Sequence, residues 1–240
     1  MAKSLQWRLL DAIFSEDPKL VRQLLAAGAS PNGTVEWMLP LVEACRTGNA
    51  IVVQILLDAG ADIGMQDDQS AHNALTVSCE VARLPLVRTL LARGANANVL
   101  RRGVSCPLTD AAFDKAKRRA DIVRALLSAG ANPRTVFYSQ NGVPVSDVLM
   151  VCCDSGSVEC ITLLLDAGAD VNACYFFGTP LIAAVRGNRP DVVSLLLARG
   201  ADTTPRLADD TKLGPLSGKN ARDIAVSKQL KTLVSLLNAA

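Results

Sequence analysis

Seven cysteines and one histidine are the side chains of this 240-residue sequence best suited to nucleophilic or metal chemistry. Cys152, Cys153, Cys160 and Cys174 could supply the four thiolates of a tetrahedral zinc site. Their irregular spacing argues against it, and a free cysteine also packs as a small hydrophobe. Cys106 and His72 could act as a nucleophile and its base only if two separate loops met. With one histidine, a multi-histidine metal site or paired-histidine catalysis is excluded within one chain. The sequence has no Gly-x-x-x-x-Gly-Lys-Ser/Thr phosphate cradle and no Gly-x-Ser-x-Gly elbow. Carboxylates such as Asp58, Asp166 and Asp170 recur at matching places along the chain. That is a repeat habit, not the convergent pair that acid–base hydrolysis needs. The chemistry-bearing residues therefore read as those of a non-enzyme without metal or cofactor.

Composition narrows the class further. Half the residues are hydrophobic and 20% are charged, enough apolar material for a continuous core and too much for bulk disorder. The formal net charge of +2 argues against a whole-protein attraction to nucleic acid or membrane. No segment approaches the roughly 18 consecutive apolar residues of a membrane helix. An odd number of irregularly spaced cysteines fits free thiols in a reducing compartment. The N-terminal residues carry charges where an export signal needs an apolar stretch. An intracellular setting, cytoplasmic and/or nuclear, is expected. The glycosylation pattern Asn32-Gly33-Thr34 is then expected to be idle.

Self-similarity sets the elements that must position any site. The string Leu-Leu-x-x-Gly-Ala occurs six times, with glycines at 28, 60, 94, 130, 168 and 200, spaced by 32, 34, 36, 38 and 32 residues. A degenerate seventh copy is Leu233-Val234-Ser235-Leu236-Leu237. Val192, Val193, Leu195, Leu196 and Leu197 form a wide apolar helix face, and Gly200 stands where a helix end needs positive φ. A shorter helix with small residues precedes it, with Thr179 as its cap and Pro180 in its first turn. Gly187-Asn188 is read as the break between the two helices. No such unit buries its own apolar face, so the copies must stack.

This pattern resembles the ankyrin repeat, a helix–turn–helix unit followed by a β-hairpin-like finger. Gly178-Thr179-Pro180-Leu181-Ile182-Ala183-Ala184 and Leu195-Leu196-Leu197-Ala198-Arg199-Gly200-Ala201-Asp202 carry it most closely, and it spans about Leu5 to Leu237. The resemblance implies an all-α solenoid of about seven units, near 5–36, 37–69, 70–103, 104–143, 144–176, 177–217 and 218–240, forming a single domain over 1–240. Lys19 and Arg22 at one end and Lys228 and Lys231 at the other would keep the outer faces polar. The family's usual histidine is replaced by Leu10, Val42, Thr76, Thr109, Met150 and Ile182, so its hydrogen bond is expected to be missing throughout. By family register Cys45, Cys79, Cys152 and Cys153 are small first-helix residues, Cys160 an apolar second-helix residue, and Cys106 and Cys174 finger thiols open to solvent. The fourth unit carries extra residues in 113–121, and fingers 131–147 and 201–220 are long.

The resemblance also implies a protein-recognition module, an adaptor or scaffold, binding through fingers and the exposed side of the first helices. Six of nine aromatics lie in the expected fingers: Trp37, Phe137, Tyr138, Tyr175, Phe176 and Phe177. Aromatics of this kind are enriched at interface hot spots. Phe137 could instead fold inward, Trp37 could pack on the first unit, and alternation could send Tyr175, Phe176 and Phe177 to opposite sides of a strand. Family register adds Arg46, Glu80, Asp154 and Arg186 to the groove. Residues 83–134 hold eleven basic and three acidic side chains, including Arg101-Arg102 on a finger tip and Lys115, Lys117, Arg118 and Arg119 in an inter-helix turn. That belt reads as a solvated edge or as a patch for an acidic segment, whereas Asp67-Asp68 would favour a basic one. Alternatives are an assembly chaperone, a small-molecule binder or enzyme using fingers 131–147 and 201–220, and electrostatic binding of nucleic acid or anionic lipid through the belt. The partner is thus expected to be another protein, with no nucleic acid, no membrane span and a monomer when alone. Replacing Tyr175 and Phe176 together by alanine is expected to weaken that binding without loss of helicity.

Overall fold

The computed structural model describes residues 4–112, 119–155, 157–208, 214 and 216–240. Among them the helices run in pairs: α1 (Leu5–Phe14) with α2 (Pro18–Ala26), α3 (Pro40–Thr47) with α4 (Ala50–Asp58), and α5 (Ala74–Glu80) with α6 (Leu84–Ala92). They continue as α7 (Pro107–Ala112) with α8 (Arg119–Ser128), α9 (Val148–Ser155) with α10 (Val158–Asp166), α11 (Pro180–Arg186) with α12 (Pro190–Ala198), and α13 (Ala221–Ser227) with α14 (Lys231–Asn238). Strands β1 (Val136–Tyr138) and β2 (Pro144–Asp147) form an antiparallel hairpin. The chain divides into two compact units, Met1–Arg102 with three helix pairs and Gly103–Ala240 with four and the hairpin. Residues 113–118, and much of 209–215, lie outside the description, and with them Lys115, Lys117, Arg118 and part of the long finger 201–220.

The six-residue motif acts as a helix terminator. Each of its glycines has φ between 82° and 95°. The amide of the alanine that follows donates to the carbonyl of the motif's first leucine, as in Ala29 to Leu24 (3.0 Å), Ala61 to Leu56 (2.9 Å) and Ala201 to Leu196 (2.9 Å). This closure satisfies carbonyls that a helix end leaves orphaned and turns the chain into the finger. The same leucines, Leu24, Leu56, Leu90, Leu126, Leu164 and Leu196, are all buried. Each contributes about 2 kcal/mol by burial. Helix starts are equally local: Asp17, Asn49, Asn73, Ser157, Thr179 and Asn220 accept hydrogen bonds from first-turn amides.

Within each unit first helices pack on first helices, α1 on α3 on α5 and α7 on α9 on α11 on α13. Second helices form the other layer, α2 on α4 and α8 on α10 on α12 on α14. Gly187 reveals how close the first helices come. It has an ordinary φ of −75°, and the left-handed residue of that turn is Asn188 at 52°. A Cβ on Gly187 would stand 2.5 Å from the Asp154 carbonyl oxygen. The glycine is there for space, not for its backbone freedom. The histidine substitution is also only half a loss. Thr76 and Thr109 each accept from the amide, and donate to the carbonyl, of the residue three before, Asn73 and Cys106.

Polar clamps tie neighbouring copies along the edges. Asn32 donates to the Gly60 carbonyl (3.1 Å) and accepts from the Asp62 amide (2.7 Å). Asn172 repeats this on Gly200 (3.1 Å) and Asp202 (2.8 Å). The Asn32 of the glycosylation pattern is thus engaged in the fold. The recurring carboxylates Asp58 and Asp166 pair with Arg93 and Arg199 of the following copies, each at 2.8 Å. The end residues Lys19, Arg22, Lys228 and Lys231 are exposed. Among the described residues no helix is long and apolar enough to cross a membrane.

Gly187→Ala is expected to lower the unfolding free energy by about 1–3 kcal/mol through overpacking. Gly60→Ala adds a Cβ that meets nothing within 4 Å at φ +86° and should lose only about 1 kcal/mol, from the left-handed backbone. Urea unfolding of both variants checks the order.

Candidate functional site

In the second compact unit the hairpin presents its tip outward. Tyr138 is 53% and Val143 45% exposed, while Phe137, next to Tyr138 in β1, is 2% exposed. Phe137 was expected among the contact residues; it is instead the core of its own finger, because strand alternation sends it opposite to Tyr138. The next finger packs alongside. Its Phe176 and Phe177 amides donate to the Pro144 and Val145 carbonyls at 3.4 and 3.3 Å. Tyr175 and Gly178 bridge across a tight turn, so Phe176 and Phe177 occupy that turn and not an extended strand. Their rings meet edge to face, with centroids 5.3 Å apart and planes at 78°. Phe176 and Phe177 thus stay together, and strand alternation does not send them to opposite sides.

Behind Phe177, which is 39% exposed, lies an open pocket of about 180 Å³ lined by Ser146, Met150, Val151, Asp154, Phe177, Ala183 and Arg186. The first helices α9 and α11 supply its floor, so the register residues Asp154 and Arg186 meet the finger residue Phe177 there. Sequence reasoning missed Met150, Val151 and Ala183 as pocket residues. Met150 stands at the replaced histidine position, and that departure was the available signal.

Beneath the finger is Asp147, 2% exposed. Its carboxylate accepts from the Met150 amide at 2.7 Å as the cap of α9. Burial pushes its pKa up to about 6, against the Met150 amide and the Tyr175 hydroxyl, which favour the charged form. Burial, and then the Asp147 charge, push the Tyr175 hydroxyl up to about 12. Tyr175 is half-buried and its hydroxyl is hydrogen-bonded to the Asp147 carboxylate. Its removal would break that bond, so Tyr175→Ala is a poor probe of contact.

In the first compact unit Trp37 is 56% exposed. It shares with Arg46 a smaller pocket of about 80 Å³, completed by Glu36, Met38, Glu43, Asp67, Gln69 and Ser70. Glu80, Arg101 and Arg102, also expected to face a partner, have partners inside the fold. Glu80 meets His72 Nε2 at 2.9 Å, and Arg101 reaches the same nitrogen. Arg102 donates to the Gln69 and Asp68 carbonyls. His72 is 7% exposed and also contacts the Ser70 hydroxyl through Nδ1 at 2.6 Å. Burial first, then the Arg101 charge, hold its pKa below the ordinary value, against Glu80 and Asp67. Asp67 accepts from the Ser70 amide and hydroxyl and from the His72 amide. These residues knit two fingers together.

The cysteines follow the packing reading with one correction. Cys106 is 2% exposed and not an open thiol. It precedes α7, and its amide is held by Thr109. Cys45, Cys79, Cys152, Cys153 and Cys160 are buried, and Cys174 is exposed. Burial raises the thiols of Cys45, Cys106, Cys152, Cys153 and Cys160, which makes them poor nucleophiles and ligands. Among the described residues no group of three or more histidine, cysteine, aspartate or glutamate side chains could hold a metal ion. Several arginines of the basic belt are also engaged. Arg93 pairs with Asp58, Arg124 with Asp121 and Glu159, and Arg119 and Arg134 donate to the Asp110 and Gly168 carbonyls.

Comparison with known proteins agrees with this geometry. The family model "Ankyrin repeats (3 copies)" matches residues 9–101, 41–137 and 108–207. The "Ankyrin repeat and KH domain-containing protein mask-1" of Caenorhabditis elegans is 33% identical over 188 residues, 77% of this chain and 7% of that protein. An "L-asparaginase" of Dirofilaria immitis is 30% identical over 177 residues, 73% of this chain and 28% of that protein. The chain thus spans well under a third of either relative. The crystal structure of the human ASB11 ankyrin repeat domain superposes with a TM-score of 0.78 at 25% identity, covering 96% of both chains.

Asp147→Asn keeps a capping acceptor and removes the buried charge. Wild-type Asp147 has a folded pKa of about 6, above its ordinary value near 4. Its contribution to stability is therefore full below about pH 4 and is lost as pH rises through about 6, on the order of 2–3 kcal/mol. The variant should lack that loss and equal or exceed wild type at pH 7. Thermal unfolding of both proteins from pH 4 to 7 measures the difference.

Proposed function

Because the chain belongs to the ankyrin-repeat family, whose repeats generally serve protein–protein interaction, we propose that it is a non-enzymatic adaptor or scaffold that binds a partner protein through its fingers and first helices. The observation that carries this reading is the exposed aromatic surface of two paired fingers beside a pocket on α9 and α11. Tyr138, Val143 and Phe177 leave large apolar area in solvent at a place where the backbone is already hydrogen-bonded. The pocket behind them mixes an apolar floor of Met150, Val151 and Ala183 with Asp154 and Arg186. An apolar anchor with a polar rim suits a protein segment. Arg46 and Trp37 belong to a second part of the same reading in the first unit. The engaged arginines of the belt weigh against general electrostatic binding of nucleic acid. The free cysteines support an intracellular setting. No activity is carried over from the L-asparaginase relative, of which this chain spans 28%.

Tyr138→Ala with Phe177→Ala tests the reading better than substitutions at Tyr175. The double variant should keep the wild-type circular dichroism spectrum. Proteins captured specifically from lysate by the wild-type chain should fall about tenfold or more on the variant, as hot-spot truncation implies. Equal recovery of the same proteins by both would exclude this surface.

A further inference from the structure

The turn Val35–Met38 holds Trp37 in an unusual way. Val35 and Met38 close a two-residue hairpin turn, with Met38 donating to Val35 at 2.9 Å. Glu36 and Trp37 occupy its centre with φ of 47° and 64°. Such turns favour Asn-Gly, because both central residues have positive φ. Here they carry a carboxylate and an indole instead, both exposed.

The pocket beside this turn has a defined chemistry. Glu36, Glu43 and Asp67 bring three carboxylates, and Arg46 brings one guanidinium. Arg46 lies 3.4 Å from Glu43. Burial foremost raises the Glu43 carboxyl, Arg46 lowers it, and the Asp67 charge raises it again. Asp67 and Glu43 thus oppose each other, while Arg46 offsets Glu43 and Ser70 and His72 satisfy Asp67, which leaves Glu36 as the carboxylate open to a new partner. Glu36 makes no ion pair or side-chain hydrogen bond among the described residues. An apolar occupant would strip water from the Glu36 carboxylate without replacing its hydrogen bonds. A cation would pair with Glu36 beside the exposed Trp37 indole, to which cations are attracted. The volume of about 80 Å³ suits a side-chain head group, whereas drug-sized ligands occupy pockets of roughly 300 Å³ or more.

We propose that this pocket receives the guanidinium of an arginine in an extended segment of a partner protein. Arginine fits better than lysine because its flat fork stacks on an indole and pairs with a carboxylate at once. This proposal rests on the protein-binding reading but names a site distinct from the aromatic finger surface of the second unit.

The test uses the full chain and its two tryptophans, Trp7 and Trp37, whose indole N–H signals are separable by NMR and assigned with Trp37→Phe. The probes are capped pentapeptides with arginine, its neutral isostere citrulline, or lysine between glycines. The Trp37 signal should shift saturably with the arginine peptide in the millimolar range, with citrulline at least tenfold weaker and lysine a few-fold weaker. Glu36→Gln should weaken the arginine response about threefold, as should raised salt. Tyr138→Ala with Phe177→Ala should leave it unchanged. An equal response to citrulline, an equal response to lysine, or no response to arginine would each overturn the proposal. So would an unaltered response in Glu36→Gln, a variant at an exposed position that leaves the fold intact.

Discussion

The bond from an alanine amide to the carbonyl of a leucine five residues earlier, closed over a left-handed glycine, is the constraint on which the rest depends. It ends each second helix at a set length and sends the chain sideways into a finger. The leucine that accepts the bond is also a core residue, so one short motif ends the helix and anchors it. The fingers that carry the exposed aromatics exist because these closures recur at regular intervals.

Stacking adds a second constraint. A helix pair with an apolar face on each side must meet neighbours on both, and small first-helix residues allow close approach. Gly187 against the Asp154 carbonyl is the tightest instance. Polar clamps such as Asn172 on Gly200 then hold the register at the edge, each contributing modestly because it is exposed. Together they bring Asp154 and Arg186, distant in sequence, into one pocket with Phe177. Asp147 lies between the two roles. It caps α9 with a charged group where a neutral one would serve, and it supports the Tyr175 finger at a cost in stability near neutral pH.

Much of the fold was legible in the residues. Thr179, Pro180 and Gly200 mark one helix start and one helix end through interactions reaching no more than a few residues. The aromatics and first-helix polar residues were legible as candidates by type and register. Their availability was not. Glu80 shares a register with Arg46, Asp154 and Arg186, yet it turns to His72, as does Arg101 from its finger. Phe137 and Tyr138 are neighbours of similar chemistry, yet one is core and the other surface. Cys106 read as an open finger thiol, yet it is buried, with its amide donating to the Thr109 hydroxyl.

The sequence by itself determined the repeat, its helix pairs and the places where fingers emerge. These follow from local chemistry: glycine's freedom at positive φ, side-chain caps and the period of apolar faces. Tertiary structure alone decided which side chains remain free to meet another molecule. A charge is free or occupied according to what neighbouring fingers and helices bring near it, in several cases from some thirty residues away, as Asp58 meets Arg93. The same packing decided that Gly187 is needed for space and Gly200 for its φ, a distinction that two identical letters cannot carry.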